Sequence, residues 1–94
     1  MITSPGPNAW VSGWVTITGN ATHENFSYYK LEYGAGSNPT NWSWFFGGQW
    51  PIWHGTLGGL NAGALAPGNY TIRVVVVDKT GNYPPPCQVT IVVR

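Results

Sequence analysis

Ninety-four residues and 10.2 kDa suffice for one compact core and predict a single domain over residues 1–94. Only 7% of the residues are charged and the formal net charge is +1, which excludes nucleic-acid binding through phosphates and a polybasic membrane anchor. With 43% hydrophobic and 15% aromatic residues, the chain has the means to bury a core and is not a disordered sequence.

No window places apolar residues at helical spacing without Gly, Pro or a β-branched run intervening, so the chain reads as all-β. Residues 1–8 include Pro5 and Pro7, which cannot donate to a ladder, and read as an edge strand or a linker. Trp10–Gly19 alternates with period two, setting Val11, Val15 and Ile17 against Ser12, Trp14, Thr16 and Thr18. Phe26–Tyr33 turns Tyr29, Leu31 and Tyr33 inward, leaving Tyr28, Lys30 and Glu32 on a face expected to be wet. Weaker strands are predicted at Trp42–Phe46 and Gly55–Leu57, joined by a loop hinged at Gly47 and Gly48. Tyr70–Asp78 sends Tyr70, Ile72, Val74 and Val76 inward, with Thr71, Arg73, Val75 and Val77 on a half-covered outer face. Pro84, Pro85 and Pro86 stiffen the approach to a last strand, Cys87–Val93, that buries Cys87, Val89, Ile91 and Val93. Turn signals at residues 34–39, 66–69 and 78–82 separate these runs. About seven short strands at this spacing predict a seven-stranded antiparallel β-sandwich of immunoglobulin-like type.

The longest aliphatic run, Val74–Val77, is far below the ~18 residues of a membrane span, so no membrane insertion is expected. No export leader opens the sequence, and one would have to lie upstream of Met1. A lone Cys87 forms no intrachain disulfide.

Leu65-Ala66-Pro67-Gly68-Asn69-Tyr70 resembles the Leu-x-Pro-Gly-x-Tyr tyrosine corner that opens the penultimate strand of fibronectin type III sandwiches. Together with GWVTITGNA, NFSYYKLEYGAGSNPTNW and YTIRVVVVDKTGN, it makes residues 9–94 resemble the fibronectin type III and immunoglobulin-like modules near the ends of bacterial envelope proteins, penicillin-binding proteins and secreted proteases among them. The resemblance implies an extracytoplasmic, non-catalytic accessory domain of a larger protein, serving as spacer, adhesion element or ligand platform. It assigns Leu65, Pro67, Gly68 and Tyr70 structural roles and is weakest across SWFFGGQWPIWHG.

That weakest stretch carries the strongest functional signal. Trp42, Trp44, Phe45, Phe46, Trp50 and Trp53 crowd beside Gly47 and Gly48, more aromatic surface than a small core absorbs. Trp42 with one or two partners is expected to fill the sandwich. Trp44, Trp50, Trp53 and His54 are the candidate ligand-binding residues of an aromatic loop facing a protein or glycan, and Trp14 and Tyr28 could extend the patch. Two rivals share these residues: a carbohydrate-binding module, and a self-associating subunit of an extracellular filament or surface layer.

His23, Glu24, Glu32, His54 and Asp78 show no metal-ligand or general-acid spacing, so no metal, cofactor or enzymatic activity is expected. Four acceptor sequons, at Asn20, Asn25, Asn41 and Asn69, are candidate glycosylation sites.

Overall fold

The computed structural model describes residues 2–81, 83 and 86–94. Among them the alternating segments form eight strands: β1 (Ile2–Ser4), β2 (Trp10–Val11), β3 (Trp14–Ala21), β4 (Phe26–Ala35), β5 (Ser43–Gly48), β6 (Ile52–Asn61), β7 (Gly68–Asp78) and β8 (Cys87–Val93). A single 3-10 turn, Ala62–Ala64, follows β6. A three-stranded sheet of order β1-β3-β6 packs on a five-stranded sheet of order β2-β8-β7-β4-β5. All neighbours are antiparallel except β2, which runs parallel to β8.

There are eight strands rather than seven because the N-terminal run is shared between the sheets. Ile2–Ser4 pairs with β3, whereas Trp10–Val11 pairs with β8. The continuous strand expected over Trp10–Gly19 therefore breaks between Val11 and Trp14, where Gly13 takes the left-handed φ of 65°.

The interior follows the alternation. Val15, Ile17 and Ala21 of β3 and Leu57 and Leu60 of β6 face Tyr29 and Leu31 of β4, Ile72 and Val74 of β7, and Val89, Ile91 and Val93 of β8. A buried hydrogen bond ties the layers together: the Tyr29 phenol donates to the Leu57 carbonyl at 2.6 Å. Burial pushes the Tyr29 phenol above its ordinary value of 10.0. The folded chain thus holds this proton more tightly than the unfolded chain, so the contribution is complete below pH 10 and is lost as pH rises through the folded value. In urea titrations Tyr29→Phe is expected to cost about 1 kcal/mol at neutral pH. It should also flatten the alkaline decline expected of the wild type above pH 10, and an equally steep decline in the variant would show that Tyr29 is not its source.

The outer face of the five-stranded sheet is drier than the alternation predicts. Glu32 is 8% exposed, Thr71 is fully buried, and Val75 and Val77 are buried rather than half-covered. Part of the cause is residues 36–42, which fold back over this face. The Thr71 hydroxyl donates to the Gly36 carbonyl at 2.7 Å, and the Gly36 amide donates to the Asn69 carbonyl at 2.8 Å. Pro39 occupies the space a Cβ on Gly34 would need, and that Cβ would also lie 2.6 Å from the Asn41 carbonyl oxygen. Trp42 ends the segment with its ring 4.0 Å from the Arg73 guanidinium carbon, so it covers this outer face instead of filling the sandwich. Arg73 in turn grips Glu32 Oε1 through Nε at 2.9 Å and Nη2 at 2.8 Å.

Three further expectations are corrected. Gly47 and Gly48 belong to β5 rather than to a hinge, and β6 spans Ile52–Asn61 rather than Gly55–Leu57. Cys87 is exposed, because it opens β8 at the end of the ladder, opposite Val74. The expected stiffening by Pro84 and Pro85, and Asn82 of the turn before them, lie outside the described residues.

Candidate functional site

Five of the six indoles remain in solvent. Trp10, Trp14, Trp44, Trp50 and Trp53 are each at least 70% exposed, and only Trp42 is half-buried. The residues expected to form one aromatic loop are, however, carried by two strands of different sheets. Trp44 lies in β5 of the five-stranded sheet, Trp53 and His54 lie in β6 of the three-stranded sheet, and Trp50 sits in the connection between them.

Trp44 stands opposite Glu32 and so shares the outer face with Lys30. A register shift between Leu31 and Glu32 makes Phe45 the extra residue on β5. Phe45 can then reach Tyr33, at 5.8 Å between ring centroids, while Phe46 opposes Leu31. The Trp44 Nε1–H donates to the Phe46 carbonyl at 2.7 Å, which fixes the ring along its own strand. Gly47 makes room for it, since a Cβ there would lie 3.2 Å from Nε1. The indole is held in place and yet remains 71% exposed.

Beside it lies an open cleft of about 500 Å³, walled by Trp44, Tyr28, Lys30 and Gln49 and floored by Gly47 and Gly48. The ring of Tyr29 supports this floor from the interior side, 2.7 Å from where a Cβ on Gly48 would sit. An aromatic face, an ammonium, a phenol and a carboxamide thus border one concavity, a set able to stack on an apolar surface while donating and accepting hydrogen bonds.

On the opposite sheet, β6 bulges where Trp53 and His54 face the single residue Asn20. His54 has φ 49°, and its backbone amide donates to Asn20 Oδ1 at 2.7 Å. The Trp53 and His54 rings meet edge to face at 4.8 Å. At the other end of β3 the Trp14 indole lies over Gly59, in the volume a side chain there would need. Trp10 packs at the sheet edge with the Arg94 guanidinium 4.1 Å from its ring centre.

The tyrosine corner has the geometry its motif implies, with the Tyr70 hydroxyl donating to the Ala66 carbonyl at 2.8 Å. Leu65 packs on the core, Pro67 is exposed in the turn, and Gly68 opens β7 at φ 150°. His23 and Asp78 serve local turns. His23 Nδ1 accepts from the Asn25 amide at 3.0 Å, and Asp78 Oδ1 accepts from the Thr80 amide at 2.9 Å. Of the sequon residues, Asn25, Asn41 and Asn69 are exposed and Asn20 is half-buried. Among the described residues no three His, Cys, Asp or Glu side chains converge as a metal site, and no helix is long and apolar enough to cross a membrane.

No protein-family model and no curated protein sequence matches the chain. Among solved structures, the fibronectin(III)-like modules of CbhA from Clostridium thermocellum superpose with a TM-score of 0.68 at 17% sequence identity, over 100% of this chain and 94% of the other. With two facing sheets and the Tyr70 corner in place, this likeness defines the architecture: the chain is a fibronectin type III-like β-sandwich.

Proposed function

We propose that this chain is a non-catalytic accessory module of a larger extracytoplasmic protein and that it recognises a protein or glycan ligand through its exposed indoles, with the Trp44 cleft as the recognition site. The observation that carries this reading is the fixation of Trp44. An indole 71% exposed normally gains nothing by being held still, but here its N–H is bonded and its ring is seated on a glycine. A pre-ordered aromatic loses little conformational entropy when a ligand covers it. Gly47 and Gly48 keep the neighbouring floor open, and Lys30, Tyr28 and Gln49 give the rim its hydrogen-bonding groups.

Intrinsic Trp fluorescence, titrated against glycan and peptide libraries, tests the reading. A binder found this way should lose at least about tenfold in affinity with Trp44→Ala, equivalent to ~1.4 kcal/mol. A binder whose affinity is unchanged by that substitution would place recognition elsewhere.

A second reading, self-assembly, draws on β6, a ten-residue strand at the margin of its sheet. Sedimentation at high concentration separates the two, since a persistent monomer is incompatible with assembly.

A further inference from the structure

We infer that the outer face of the three-stranded sheet is a second binding site, built for an extended neutral polysaccharide and independent of the Trp44 cleft. Strands β1, β3 and β6 contain no Asp, Glu, Lys or Arg. The solvent side of this sheet begins at Trp14, whose indole lies over Gly59, and ends at the Trp53–His54 bulge opposite Asn20. From Trp14 to Asn20 along β3 is about 20 Å at a rise of ~3.3 Å per residue. Hydroxyls occupy the ground between. Thr16 stands opposite Gly59 and Thr18 opposite Thr56, and the Thr3 and Thr18 hydroxyls lie 3.1 Å apart.

This is a strip with an indole at each end and hydrogen-bonding groups in the middle. A pyranose ring has one face of C–H groups and a rim of hydroxyls, so it can cover an indole with the first and satisfy threonine hydroxyls with the second. A chain of such rings can use both ends of the strip at once, which a single sugar cannot. Absence of Lys and Arg from the strands leaves nothing to neutralise an acidic polymer, and absence of Asp and Glu nothing to pair with a basic one, so the matching chain is neutral. A second copy of the protein fits less well. Stable protein interfaces bury about 1,200–2,000 Å² around an apolar centre, whereas here the centre is hydroxyls and glycine and the indoles lie at the margins.

The test is retention of the intact chain by insoluble cellulose and its retardation in native gels containing soluble β-glucan, xylan or mannan. The wild type should be retained, Trp14→Ala and Trp53→Ala should each weaken retention at least tenfold, and Trp14→Ala/Trp53→Ala should abolish it. Thr16→Lys, an exposed position, places a charge mid-strip and should also weaken retention, and unchanged circular dichroism would confirm that each variant folds. The inference is overturned if none of the four polysaccharides retains the wild type, or if Trp14→Ala/Trp53→Ala is retained as well as the wild type. It is equally overturned if sedimentation reveals a dimer that Trp14→Ala dissociates, since the face would then belong to a second copy.

Discussion

Arg73→Ala is expected to lower the unfolding free energy by about 2 kcal/mol, while the paired replacement Glu32→Leu/Arg73→Leu should stay within about 1 kcal/mol of wild type. The asymmetry follows from where the carboxylate sits. The Glu32 side chain is only 10% exposed and receives two close donors from Arg73, whereas Lys30 approaches no nearer than 3.9 Å. Removing the guanidinium leaves a largely desolvated charge with one distant partner, and it also removes the platform under Trp42. Fully buried pairs cost about 3–5 kcal/mol to break in this way, and the lower figure here reflects the 26% exposure of the Arg73 side chain. Replacing both partners by leucine removes the charge together with its need for a partner. Urea unfolding of Glu32→Leu, Arg73→Leu and the double variant measures the coupling. If Arg73→Ala proves neutral, Glu32 is better hydrated than its burial indicates.

The second large effect is expected at Leu31, which lies at the centre of β4 with no exposed surface. Leu31→Ala should cost about 3 kcal/mol through lost apolar burial and the cavity left behind. For a domain of this size that lowers the melting temperature by roughly 12–24 °C. The partner across the interior is Gly58 of β6, where a Cβ would lie 2.9 Å from Leu31 Cδ1 and 2.5 Å from the Phe46 ring. Gly58→Ala alone should therefore destabilise by overpacking, about 1–3 kcal/mol. Combined with Leu31→Ala it should cost less than the sum, because the new methyl enters the space Leu31 vacates. Simple additivity in thermal melts would mean that the two sheets approach each other differently at this point.

Legibility from sequence depended on how much of each element's environment is local. Strand β7 and its corner were readable because Tyr70, Ile72 and Val74 alternate and Pro67-Gly68 set the turn, all within a few residues. Glu32 was not, because its burial comes from Arg73, distant in sequence, and from a segment that folds back only because Gly34 admits Pro39. The middle of the chain misled for a related reason. Gly47, Gly48, Gly55, Gly58 and Gly59 carry no side chain to alternate, so strands β5 and β6 look like loop. Nor does anything local tell that one joins β4 while the other joins β3. The excess of indole over available interior was evident from composition, whereas its division between two faces required the strand order.

Central to this account is that exposed indoles, held by the sheets, are the recognising groups. The most direct measurement is a two-dimensional ¹H–¹⁵N spectrum of the six indole N–H groups, recorded while the chain is titrated with soluble glycans and with peptides. Binding should shift Trp44, or Trp14 and Trp53 together, and leave Trp42 unmoved above Arg73. A ligand that binds without moving any indole of an exposed tryptophan would contradict it.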